Sequence, residues 1–128
     1  MNEFVFDASA MLALIQGERG ADTLTDEILD HAVASTVNLA EVQSKLVRGS
    51  NDPDRSWGAA LSTISAVEPY TSEQAKIAGS LIATTAKYGL SLGDRSCLAL
   101  AIALKAPVYT TEQAWRNLKL GVPIHVIR

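Results

Sequence analysis

Phe4-Val5-Phe6-Asp7-Ala8-Ser9-Ala10-Met11-Leu12-Ala13-Leu14-Ile15 begins with a short apolar run and continues with a different rhythm. Ala8, Met11, Leu12 and Ile15 fall at i, i+3, i+4 and i+7, the period of an amphipathic helix, whereas Phe4 to Phe6 reads as a buried strand. The chain therefore opens β then α, and Asp7 stands at the junction.

Working outward, the same alternation repeats. Short strands are expected at residues 32–36, 67–70 (in spite of Pro69), 107–110 and 124–127. Between them the pattern predicts helices over about 21–29, from an Asn38 cap to about Arg48, and from Pro53 through Trp57, Leu61 and Ile64. A long helix is expected from Thr71 to near Tyr88-Gly89, and a last one over 112–120, ending at Gly121. Asn38-Leu39-Ala40-Glu41 resembles a capping box that would place Glu41 third in its helix, and Ser91-Leu92-Gly93-Asp94 repeats that logic. Cys97 to Leu104 is apolar on every face, so the helix holding it must be largely buried. Strands alternating with helices imply an α/β fold with a parallel sheet and helices on both faces.

Composition sets the bounds. The chain has 128 residues, 48% hydrophobic and 20% charged. That is one domain (1–128), able to bury roughly two-thirds of its unfolded surface, and too apolar for disorder. No apolar run approaches the roughly 20 residues of a membrane span. With no signal-type leader and a single Cys97, the expected home is a reducing cytoplasm. The formal charge of −3 argues weakly against a nucleic-acid binder, yet Asp7, Glu41, Asp94 and Glu112 alone carry more negative charge than that.

Those four acids are placed alike, each at or near a predicted helix start. In an open α/β sheet, helix N-termini and strand C-termini share one edge, and ligands bind in the crevice there. Carboxylates brought together stay ionised only if a cation neutralises them or some take up protons. Oxygen-only ligands favour Mg²⁺ or Mn²⁺, and such a centre lowers the pKa of a bound water and neutralises charge on a phosphodiester under attack. Each acid also has an innocent reading, since Asp and Glu are favoured in a first helical turn. Glu73 occupies a similar start, so position alone does not choose Glu112 over it. Asp94 stands out because Leu92-Gly93-Asp94-Arg95 leads a charged pair into an apolar helix, where burying charge is costly without compensation.

Four segments carry a family resemblance. Phe4-Val5-Phe6-Asp7-Ala8-Ser9-Ala10, Asn38-Leu39-Ala40-Glu41-Val42, the run from Leu90 through Leu92-Gly93-Asp94-Arg95 to Ala101, and Tyr109-Thr110-Thr111-Glu112-Gln113-Ala114-Trp115 resemble, in order and spacing, the motifs of PIN-domain ribonucleases of the VapC toxin type. The resemblance implies an α/β/α sandwich and Mg²⁺- or Mn²⁺-dependent endoribonuclease activity on a structured RNA such as a tRNA or rRNA loop. It also implies inhibition by a VapB-type antitoxin, and a homodimer. Asp7, Glu41 and Asp94 match the three acids that hold metal in that family, and Glu112 a fourth position that is more often Asp. Ser9 and Thr110 match hydroxyl positions lining the same pocket.

The remaining residues carry competing readings. Asn38 either faces the site or caps its helix. Arg95 either meets substrate phosphate or pairs with a carboxylate. Lys45, Arg48, Lys87, Arg116 and Lys119 form an RNA-facing rim or an ordinary solvated surface. Trp57 and Trp115 can stack on an unpaired base, although Trp115 also suits a helix-face core position. His31, His125 and Cys97 read as structural. Two alternatives stay open beside the nuclease: a catalytically inactive PIN domain kept for protein contacts, and a receiver-like metal-binding module. The second lacks the expected phospho-acceptor Asp and later Lys. A two-metal phosphatase fits least, because its Asp-x-Asp start is here Asp7-Ala8-Ser9.

Overall fold

Five short strands, β1 (Phe4–Phe6), β2 (Ala32–Ser35), β3 (Ala66–Glu68), β4 (Val108–Thr110) and β5 (Ile124–Val126), form one sheet in the computed structural model, which describes residues 3–128. The order is β3-β2-β1-β4-β5 and every pairing is parallel, with Val5 opposite both Val33 and Val108. Strand order reverses at β1, so the crevice between the C-terminal ends of β1 and β4 is the switch point where such sheets bind ligands.

Alternation along the strands builds two cores, one on each face. Val5, Val33 and Val108 pack with Cys97, Leu98, Leu100 and Ala101 of the helix Leu92–Leu104 and with Trp115. Phe6, Ala32 and Ala34 face the other way, onto Ala10, Met11 and Leu12 of α1 (Ala8–Gln16), Leu39 and Val42 of α3 (Thr36–Ser50), and Ala60 of α4 (Pro53–Leu61). The fold is therefore an α/β/α sandwich. Burying side chains the size of Phe6 or Met11 stabilises it by roughly 1.5–3 kcal/mol each. Ser96 to Ala101 are buried without a break, as the apolar run requires.

Helix boundaries depart from expectation where side chains compete with the backbone. The predicted helix over 21–29 is a 3-10 turn (Ala21–Thr23) followed by α2 (Asp26–Asp30), because the Thr25 hydroxyl accepts from Ile28 N and starts a new helix. Ser35, rather than Asn38, caps α3 by accepting from Val37 N, which puts Asn38 third and Glu41 sixth in the helix. The helix expected from Thr71 breaks into α5 (Ser72–Ser80), α6 (Ile82–Thr85) and a 3-10 turn (Ala86–Tyr88). There Thr84 and Thr85 both turn their hydroxyls back onto Leu81 O, a local bond that competes with a continuous helix. The helix expected over 112–120 is only a 3-10 turn, Gln113–Asn117. The helix Leu92–Leu104 is α7; it packs across α5 and α3. Among the described residues no helix is long and apolar enough to cross a membrane.

Candidate active site

Asp7 ends β1 and caps α1, so the strand-to-helix turn itself delivers its carboxylate to the switch point. Oδ1 accepts from Ala10 N at 2.8 Å and from Ser9 Oγ at 2.7 Å, and Oδ2 accepts from Thr110 Oγ1 at 2.6 Å. Both hydroxyls also accept, Ser9 Oγ from Thr111 N and Thr110 Oγ1 from Glu112 N. Each gives its proton to Asp7 and takes one from the β4 exit loop. They position a carboxylate and have no proton left for a substrate. Asp7 is 3% exposed, and burial pushes its pKa from the ordinary 3.8 up to about 6. The Thr110 and Ser9 hydroxyls and the Ala10 amide pull the other way, while the nearby charge of Asp94 adds to the rise.

Asp94 is the third residue of α7 and forms the expected capping box. Ser91 Oγ accepts from Asp94 N at 3.1 Å, and Asp94 Oδ2 accepts from Ser91 N at 2.9 Å. Glu41 comes from the middle of α3, where the buried Asn38 holds it: Asn38 Nδ2 donates to Glu41 Oε1 at 2.7 Å and to Gly93 O at 3.0 Å. One amide thus ties α3 to the first turn of α7. Cys97, one turn beyond Asp94, records the convergence of all three acids. Its thiol pKa is raised well above the ordinary value, first by burial and then by the charges of Asp7, Asp94 and Glu41.

Glu112 stands apart. The residue is exposed and its side chain makes no capping bond. Among the described residues Arg95 forms no ion pair with a carboxylate; its Nη1 donates to Ala78 O at 2.9 Å and fastens α7 to the end of α5. Trp115 is core, at 1% exposure, whereas Trp57 is 42% exposed on α4. Lys45, Arg48, Lys87, Arg116 and Lys119 are all exposed.

The donor set suits a hard cation. Asp7, Asp94 and Glu41 share one neighbourhood, and among the described residues the only ion pair is Glu18–Arg128 at the surface, so no Lys or Arg neutralises them. Three of the four acceptor positions on the Asp7 carboxylate are taken, leaving one for a metal. The three acids are gathered but not closed on a point. Among the described residues no three His, Cys, Asp or Glu side chains stand in a ready metal-binding arrangement.

The PIN domain family model matches residues 4–119. No curated protein matches the chain in sequence. Solved structures similar in fold include VapBC from Salmonella typhimurium bound to DNA, at 18% identity and TM-score 0.76, covering 97% of both chains. The sarcin-ricin loop cleaving toxin VapC20 of Mycobacterium tuberculosis aligns at 21% identity and TM-score 0.74, over 94% of this chain and 99% of that one. VapBC2 from Rickettsia felis bound to a promoter DNA fragment aligns at 18% identity and TM-score 0.71, over 94% and 96%. With the family model spanning all four acids and both hydroxyls, the chain belongs to the PIN domain family.

Proposed function

We propose that this chain is a VapC-type toxin, an endoribonuclease dependent on Mg²⁺ or Mn²⁺, held in check by a VapB-type antitoxin. The observation that carries the reading is a cluster of three carboxylates, one of them buried, with no basic partner among the described residues, at the switch point of a PIN domain. Asp7, Glu41 and Asp94 would hold the metal, and Glu112, on the open side, would serve only as an outer or water-mediated group. When bound, the metal supplies an activated water and neutralises charge on the phosphodiester. Asp7 must be ionised for this, and the Ser9 and Thr110 hydroxyls favour that state by donating to it. No side chain acts as nucleophile, so the products carry a 5′-phosphate and a 3′-hydroxyl.

The substrate class is a structured RNA such as a tRNA or an rRNA loop, and the exposed basic residues are its docking rim. The antitoxin inserts an Arg or Lys near Asp7 and Asp94, where an uncompensated negative field attracts it. A homodimer completes the assembly. Several similar structures are VapBC complexes, which supports the pairing of toxin and antitoxin.

Expression without antitoxin, with RNA end-mapping beside an equally expressed Asp94→Asn variant, tests the reading. Growth arrest with discrete 5′-phosphate ends from the wild type alone is expected. Ends bearing a 2′,3′-cyclic phosphate, or equal cleavage by both proteins, would refute the mechanism.

A further inference from the structure

Gly93 has no backbone reason to be glycine. It lies second in α7 and its φ is not among the positive values, which belong to Gly17, Gly20, Gly89 and Gly121. Alanine would suit a helix better there, since glycine has the greater conformational freedom to lose. The surroundings differ from those of Gly49, Gly58 and Gly79, where an added Cβ would meet nothing within 4 Å. At Gly93 a Cβ would lie 2.5 Å from both Cδ and Oε1 of Glu41, and its three nearest neighbours are all atoms of that one carboxylate. The Glu41 head group therefore lies against the bare backbone of α7.

We infer that Gly93 is a positioning residue, the seat that lets a mid-helix glutamate reach the acid cluster. Asn38 fixes the carboxylate there. Its Nδ2 donates to Glu41 Oε1 and to the carbonyl of Gly93 itself, so one amide presses the head group and its seat together. Asn38 is 1% exposed and its Oδ1 has no partner, which marks an amide placed for its two donors. The obstructing group at Gly93 is the mobile end of a side chain, and backbone is not in the way. A methyl there displaces the carboxylate by about 1 Å to restore van der Waals separation and leaves the helices where they are. The site loses an aligned ligand, while in the fold the weakened Asn38–Glu41 hydrogen bond is roughly offset by the better helix propensity of alanine. This inference rests on the metal-binding reading for its functional consequence, though not for its geometry.

The test is Gly93→Ala, made in the wild-type background and in Glu41→Ala, read by Mn²⁺ calorimetry, thermal unfolding and a metal-free crystal structure. The expected result is a Tm equal to or above wild type and a Mn²⁺ affinity lower by about tenfold or more, as when a supporting group around a metal is lost. No further loss is expected in Glu41→Ala, where the space is already vacant. The crystal structure should show the Glu41 carboxylate moved off α7. Wild-type Mn²⁺ affinity with the carboxylate unmoved would overturn the inference, as would an equal loss in both backgrounds or a fall in Tm. Wild-type protein that bound no Mn²⁺ would sink the metal reading instead, and the crystallographic position of Glu41 would still decide the seat.

Discussion

Asp7 and Glu112 share one hydroxyl, the first through its carboxylate and the second through its backbone amide. Thr110 Oγ1 gives its proton to the Asp7 carboxylate and takes one from the Glu112 amide, yet one acid is buried and the other exposed. Asp7 is walled by β1, α1 and β4, and shares a field with Glu41 and Asp94. Glu112 only begins a short 3-10 turn on the loop beyond β4. A carboxylate at the start of a helical segment is thus an ordinary cap until other elements close around it. Burial by those elements is what turns it into a charge that needs a partner.

The contrast breaks most sharply at Asp7. Asp7→Asn keeps the cap on α1 through Oδ1 and removes the charge, so RNA cleavage should fall at least about a hundredfold with the lost ligand. The metal-free protein should become more stable at the same time, and a variant that unfolds more readily would contradict the burial argument.

The size of that gain follows from pH. A carboxyl whose pKa rises from 3.8 to about 6 on folding is protonated in the native state and ionised in the unfolded chain between those values. Stability therefore falls as pH rises through that window and is flat, for this group, above pH 6. The total is about 3 kcal/mol. Denaturant midpoints of wild type and Asp7→Asn without metal should converge near pH 4 and separate by pH 7; parallel profiles would refute the assignment. Added Mn²⁺ should stabilise the wild type more at pH 7.5 than at pH 5, because only the ionised carboxylate binds it.

The smallest effect is expected at Glu112. Glu112→Gln removes an exposed charge screened by solvent, so Mn²⁺ affinity should change by less than about threefold. A drop as large as that of Asp7→Asn would mean that the loop beyond β4 closes inward when metal binds, and that Glu112 stands apart only in the metal-free chain.

Periodicity and local chemistry carried much of this. Four strands were legible as short runs of β-forming residues at a turn, and α7 because no face of it is polar; β3 (Ala66–Glu68) is mostly exposed and ends two residues before the expected 67–70. Asp7 and Asp94 were legible because their placement is local: a strand-end cap and a capping box use neighbours within three residues. Glu41 was legible as a candidate but not in its mechanism. Two capping-type residues, Ser35 and Asn38, stand three apart, and the choice depends on where β2 ends, which is set by pairing with β1 and β3. Gly93 was invisible for a related reason. Its neighbour is 52 residues away in the chain, and only the packing of α3 on α7 brings the two together. The sole hint was a glycine with no turn to make. The carboxylate pairing considered for Arg95 does not form because adjacency to Asp94 in sequence says nothing about direction, and successive residues on a helix point about 100° apart.

Cys97 gives the cluster a built-in clock. The thiol is held protonated first by burial and then by the charges of the three carboxylates, so an alkylating reagent can react only during excursions that open the first turns of α7. Its labelling rate thus counts how often the site comes apart. Any cation that bridges those carboxylates must slow that count in proportion to how tightly it binds, with no RNA and no partner protein in the tube.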